Sequence, residues 1–164
     1  MKGGINMKVS MHDRIRDWLV VLGEKNGYEA WTPDKKNEVE VSKIRNVKVD
    51  YRPDVVWRSK RTREKVFFEL VFQEDFRQVI GEMFLASQTE NIRKMYFIRP
   101  TEDEPFWKNI ENYLRFAFRR EEGIVKTHHR PSFIIFDRSL EKNSKEDEIK
   151  EKIASVLKKD NWIK

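Results

Sequence analysis

The sequence predicts an α/β fold: a central mixed β-sheet flanked by helices. Helix-period apolar stripes alternate with short apolar runs, the pattern of a sheet covered by helices. Two neighbouring runs, "RPDVVW" and "KVFFELVF", are apolar at both alternating positions, as strands buried on two faces are. No internal repeat or low-complexity tract interrupts the pattern, so residues 1–164 read as a single domain.

A first helix is expected over about 13–24, where Ile15, Trp18, Leu19 and Leu22 recur on one face. "NGYEAWTP" then turns into a short strand, and "DKKNEVEVSKIRNVKV" is polar with traces of β alternation. The two apolar strands come next, joined by a basic turn. A helix over about 74–87 carries the stripe Phe76, Val79, Ile80, Met83 and Phe84. "RKMYFIR" reads as a strand ended by Pro100, and a long helix over about 104–120 presents Phe106, Ile110, Tyr113, Leu114, Ala117 and Phe118. "GIVKT" and "SFIIFD" read as late strands, and a charged C-terminal helix carries Ile149, Ile153, Val156 and Leu157.

Composition narrows the function. Lys and Arg number 34 against 28 Asp and Glu, a net charge of +6 that suits a polyanionic partner. The chain has no cysteine, which excludes disulfides and thiolate metal sites. No apolar run approaches the roughly 20 residues needed to cross a bilayer, so no membrane partner is expected. "MKGGINMKVSMHD" lacks a signal-peptide apolar region, which leads us to expect a cytoplasmic protein. Abundant Lys, Arg and Glu without Cys would suit a thermophile.

The chemistry concentrates in the two apolar strands, each of which carries one acid, Asp54 and Glu69. A hairpin turning at Arg61 and Thr62 sets Asp54 opposite Glu69, Val56 opposite Phe67 and Arg52 opposite Val71. Opposed Cβ atoms on one sheet face lie about 4.5–5.5 Å apart. Two carboxylates that close repel unless they share a proton or hold a cation. A divalent cation suits them, because Mg²⁺ takes one or two protein carboxylates and completes its shell with water or phosphate oxygens. The alternative is structural: an Asp after Pro often begins a strand, and a lone Glu on a strand often reaches solvent at an edge.

"RPDVVW", "KVFFELV", "EDFRQVIGEMFLASQ" and "RKMYFIRP", in that order, resemble the core of the PD-(D/E)xK, or restriction-endonuclease-like, nucleases. The resemblance covers about residues 12–100, including the leading helix. It implies that Asp54 and Glu69 bind Mg²⁺ or Mn²⁺ and that the substrate is DNA, or RNA, with a homodimer as a further expectation. Gln78 and Gly81 resemble the Gln and Gly of the helix that follows the acids in many members. Glu82, one turn after Gln78, would add a third carboxylate or orient a water; the alternative is a solvated helix face with an i, i+4 hydrogen bond. The chain departs from the family where its lysine, two residues after the second acid, is replaced by Val71. Lys94, Gln73 and Lys65 are candidate substitutes, with Lys94 and Gln73 ranked first. His12 and Asp13 would line the site from the first helix, although an Asp there equally serves as an N-cap.

"WRSKRTREK" places Arg58, Lys60, Arg61, Arg63 and Lys65 in and beside one turn, expected next to the metal site, where they would grip phosphates by charge or simply be solvated. His128 and His129 alternate across a strand, so both do not easily ligate one ion. The aromatics of 106–118 sit at or beside helical spacing and read as core or assembly surface. Two function classes follow: a metal-dependent deoxyribonuclease with Asp54, Glu69, Gln78 and Lys94 as catalytic residues, or a catalytically degenerate protein on the same fold that binds nucleic acid or serves in assembly. A structural pairing of the acids in a domain with a protein partner is the third reading.

Overall fold

The computed structural model describes residues 9–33, 40–44, 47–72, 76–87, 89, 91–101 and 131–164. The expected helix at 104–120, the strand "GIVKT", His128, His129 and Gln73 lie outside these residues.

Helix α1 (Met11–Lys25) starts where the Ser10 side chain accepts the Asp13 N–H at 3.1 Å, and it stops at Asn26 before Gly27, whose φ is +87°. Asp13 therefore belongs to the first turn, where its charge also complements the helix dipole. Strand β1 (Tyr28–Trp31) follows, then a separate two-stranded antiparallel sheet of β2 (Glu40–Ile44) and β3 (Val47–Tyr51). Strands β4 (Val55–Ser59) and β5 (Lys65–Leu70), helix α2 (Phe76–Ser87) and strands β6 (Ile92–Thr101) and β7 (Ser132–Asp137) come next. A short helix α3 (Arg138–Lys142) and helix α4 (Glu146–Lys159) close the chain.

The main sheet is mixed, in the order β1-β4-β5-β6-β7. β1, β4 and β5 pair antiparallel, whereas β5, β6 and β7 run parallel. Between β4 and β5 the ladder aligns Val55 with Phe68, Val56 with Phe67 and Trp57 with Val66, the register expected from a turn at Arg61 and Thr62.

Alternation along these strands splits the core into two layers. Val55, Trp57, Val66, Phe68, Leu70, Tyr96 and Ile98 face α1 and α4, which contribute Ile15, Leu19, Ile149, Ile153 and Leu157. Val56, Phe67, Val71, Met95 and Phe97 face α2, which contributes Val79, Met83 and Ala86. Each large apolar side chain fully buried in this way stabilises the fold by about 1.5–3 kcal/mol. α4 adds Glu146, Asp147 and Glu148 in its first turn and Lys158 and Lys159 in its last, both favourable to the macrodipole.

One strand end differs from the sequence expectation. β6 does not stop before Pro100 but runs through it to Thr101, paired with β7. The Val71 N–H donates to the Ile98 carbonyl at 3.0 Å, so in parallel register the next donor to the Val71 carbonyl would be the N–H that Pro100 lacks. The missing donor therefore faces β5, whose ladder ends there, and leaves the β7 side intact.

Two glycines test this packing in opposite directions. A Cβ on Gly23 would meet Trp57 Nε1 at 2.5 Å and the Ala30 Cβ at 2.8 Å, and that indole donates to the Leu19 carbonyl at 2.9 Å. Helix propensity favours Ala by about 1 kcal/mol, but overpacking costs about 1–3 kcal/mol and here also disturbs a buried hydrogen bond. Gly23→Ala should lower the urea unfolding free energy. Gly81→Ala, with nothing within 4 Å of the added carbon, should raise it by up to about 1 kcal/mol.

Candidate functional site

The acids meet where the β4–β5 ladder ends. One step beyond the Val55–Phe68 pair lie Asp54, in the bend before β4, and Glu69 on β5. Asp54 Oδ2 accepts the Leu70 N–H at 2.7 Å, so the side chain satisfies a donor at the end of the ladder. Glu69 shares the face of Phe67 and Val71, toward the α2 layer, and is only 6% exposed. Its Oε1 accepts the hydroxyl of Tyr51, the last residue of β3, which is itself 3% exposed.

Burial, and then the Asp54 carboxylate, push the Glu69 carboxyl well above the usual carboxylate range; Glu82 adds to this, and the Tyr51 hydroxyl and Asp54 N–H oppose it. Burial and the Glu69 charge likewise hold the Tyr51 phenol well above its ordinary value, with Glu82 and Asp54 contributing. α2 thus brings a third carboxylate toward the pair. Gln78 Nε2 donates to Glu82 Oε1 at 3.1 Å across one helical turn while remaining exposed, so its contact here is to Glu82. Gly81 is exposed, and close packing does not require a glycine there.

From the other side, α1 delivers His12. Its Nε2 stands 3.6 Å from Asp54 Oδ1, its Nδ1 3.7 Å from Asp13 Oδ1, and its ring meets Phe72 edge-on at 5.7 Å. Asp13 is at once the first-turn acid of α1 and a neighbour of this imidazole.

Two expectations are corrected by the sheet. Lys94 alternates with Met95 and therefore faces the α1/α4 layer, opposite to Glu69; its ammonium lies 3.9 Å from Asp160 and 5.6 Å from the Tyr96 ring. It does not reach the acids. Val71, which the resemblance alone sets at the place of a lysine, is 2% exposed and packed in the core. The basic turn is likewise not beside the acids. It closes the far end of the hairpin, five residue steps from Asp54 to Ser59, or roughly 17 Å at about 3.3 Å per residue. There Arg58 is 2.5 Å from Glu29 and 5.1 Å from the Trp31 ring centroid, and Arg63 is 3.5 Å from the same carboxylate. Lys60 and Arg61 are exposed, and Lys65 is half-buried. Coulomb attraction already spent on Glu29 makes Arg58 and Arg63 poorer phosphate contacts than their spacing suggests.

Asp54 and Glu69 offer oxygen donors of the kind a hard divalent cation takes. Asp54 spends Oδ2 on a backbone N–H and Glu69 spends Oε1 on a phenol, so each keeps lone pairs on its second oxygen. A cation would also offset the repulsion that raises Glu69. Among the described residues no three His, Asp or Glu side chains are gathered to hold an ion as they stand, so protein ligation would be sparse and completed by water or phosphate oxygens.

Tyr51 is the site residue that the sequence did not reveal. Its signal was local: it stands three residues before Asp54, at the end of a polar segment, with nothing in the spacing to aim it at Glu69. No protein-family model, curated protein or solved structure matches the chain. Among the described residues no helix is long and apolar enough to cross a membrane.

The raised carboxyl makes a pH prediction. The folded state holds the Glu69 proton more tightly than the unfolded chain does. Its contribution to stability is therefore full below the ordinary glutamate value of 4.5 and is lost as pH rises toward the folded value. Between pH 4 and pH 8, without divalent ions, the urea midpoint of Glu69→Gln should gain relative to wild type and exceed it at pH 8. Parallel pH curves for the two proteins would show that Glu69 titrates normally.

Proposed function

We propose that the chain is a metal-dependent deoxyribonuclease with a restriction-endonuclease-like core, hydrolysing phosphodiester bonds with Mg²⁺ or Mn²⁺ held by Asp54 and Glu69. The observation that carries this reading is the placement of one carboxylate in the bend before β4 and another beside it on β5, with the second driven toward protonation by burial and by the first. Asp54 satisfies a backbone donor, but Glu69 costs stability there, because a buried acid beside another acid costs several kcal/mol unless it is neutralised. A divalent ion bound there supplies a water of lowered pKa and polarises the scissile phosphate.

The chain's own groups have separate tasks. Asp54 is oriented by the Leu70 N–H, Glu69 by the Tyr51 hydroxyl, and Glu82 is oriented by Gln78 and adds negative charge from α2. Lys60 and Arg61 offer exposed charge roughly 17 Å from the acids, about five nucleotide steps along one strand at 3.4 Å each. A substrate strand touching both ends of the hairpin would be held by charge without base readout.

The burial of Val71 favours a second reading, a degenerate nuclease fold that binds nucleic acid or serves in assembly without cutting. Cleavage decides between them. Asp54→Ala and Glu69→Ala should each abolish Mn²⁺- or Mg²⁺-dependent cutting of linear, branched, supercoiled or single-stranded DNA while leaving DNA binding largely intact. Absence of cleavage by wild type on every substrate, with no calorimetric metal binding, would leave the non-enzymatic reading.

Binding should depend steeply on salt. Lys60→Ala/Arg61→Ala should reduce the salt slope by about one unit for each lost phosphate contact. Arg58→Ala should mainly lower stability, through its contacts with Glu29 and Trp31. A salt-independent affinity would point to a protein partner instead.

A further inference from the structure

We infer that the turn end of the β4–β5 hairpin seats one unpaired base of a single-stranded DNA segment, in a cavity walled by Trp162 and Tyr28 and flanked by cations. This rests on the reading above for the identity of the polyanion.

The cavity, of about 310 Å³, lies where the hairpin turn meets the end of the chain. Ser59 and Thr62 line it from the turn, Tyr28 from β1, Arg93 from β6, and Asn161 and Trp162 from the residues after α4. Its volume is near the lower end of the roughly 300–1,000 Å³ of ligand pockets, a size for one nucleotide and not for a duplex. Paired bases hide their faces against one another, so only an unstacked base can offer a face to an aromatic wall.

That wall is fixed by its own contacts. The Trp162 N–H donates to the Leu157 carbonyl at 2.9 Å, its carbonyl accepts the Tyr28 hydroxyl at 3.1 Å, and Ile163 beside it is buried. Tyr28 stacks on Trp57 with ring centroids 5.3 Å apart and meets Trp162 at 6.5 Å. Arg93 lies over the Trp162 ring, 5.5 Å from its centroid, and donates to Glu64 at 2.8 Å. Bases stack on indole rings and on guanidinium planes alike, so Arg93 extends the platform.

Charge selects the class of ligand. Lys60 and Arg61 in the turn and Lys158 and Lys159 at the end of α4 are all exposed, and both segments border the cavity. The two carboxylates in its lining are already engaged: Glu64 with Arg93, and Asp160 with the Tyr96 hydroxyl and, at 3.9 Å, with Lys94. Cations from two distant parts of the chain thus flank an aromatic cavity. Single strands are gripped by that combination, with charge for the phosphates and rings for the bases. Ser59 lies roughly 17 Å from Asp54 along β4, so a strand seated here would reach the acids in about five nucleotide steps.

Fluorescence anisotropy in EDTA tests this, with the full chain and a labelled oligothymidine of about 12 nucleotides, inside the span of such sites. The comparison strand is an abasic oligonucleotide of the same length, which keeps the phosphates and lacks the bases. Wild type should bind the oligothymidine at least about fivefold more tightly, the low end of what one base–aromatic stack contributes. Trp162→Ala should lose that preference while both strands keep their salt-dependent binding, and Trp162→Phe, which retains a ring, should keep it. Arg93→Ala, at an exposed side chain, should reduce the preference with little change in Tm, and it decides the matter should Trp162→Ala fold poorly.

Equal binding of the two strands by wild type, or a preference unchanged in Arg93→Ala and in folded Trp162→Ala, would overturn the base site and leave DNA binding standing. No binding of either strand would overturn the base site and the nuclease reading together. Because metal is absent from this assay, a failure of the cleavage test alone removes the nuclease reading and leaves the base site in place.

Discussion

The pairing of β4 with β5 is the constraint on which the rest depends. Strand side chains alternate with period two, so a slip of one residue would turn every side chain to the wrong layer. Val56 against Phe67 serves the α2 layer and Trp57 against Val66 serves the α1/α4 layer. With those pairs in place, Asp54 and Glu69 have no choice but to be neighbours. The magnitudes agree: Val55, Val56, Trp57, Phe67, Phe68 and Leu70 are all fully buried, each contributing about 1.5–3 kcal/mol. Their sum exceeds the several kcal/mol that a buried carboxylate costs. The core holds the acids together against their own repulsion.

The sheet end then converts that proximity into a site. Pro100 withholds a donor on the β6 side of β5, and on the β4 side the Asp54 side chain accepts the Leu70 N–H. Each covering element brings one group to this end: Tyr51 from β3, Glu82 from α2 and His12 from α1. A hydrogen bond from Tyr51, the nearby charge of Glu82 and the imidazole of His12 thus converge on one pair of acids, with Val71 packed in the core beside them.

The same hairpin separates the two kinds of charge. Its acids are at the open end and its cations at the turn, because a hairpin cannot place strand starts and turn together. Arg58 and Arg63 are partly neutralised by Glu29 on the edge strand β1, and Arg58 also lies over Trp31. The net positive charge of the chain therefore overstates what the turn has left to offer a polyanion. Under the proposed function, electrostatic attraction and metal-assisted hydrolysis would act at two ends of one hairpin.

Much of the architecture was legible in the sequence. Helical stripes located α1, α2 and α4, and turn placement with alternation determined the β4–β5 register and hence the pairing of Asp54 with Glu69. These are local properties, set by periods of 3.6 and 2 and by one tight turn. What the linear chain left open was every contact between elements distant in sequence. Lys94 and Glu69 look equally available along the chain, yet parallel pairing of β5 with β6 puts them on opposite faces. Tyr51 and His12 carry no mark of their contacts with the acids, since those partners lie 18 and 42 residues away. Strand pairing and helix docking bring such residues together through burial of side chains that have no part in the chemistry. Local pattern therefore determined which acids could form a pair, and only tertiary packing decided what else stands around them.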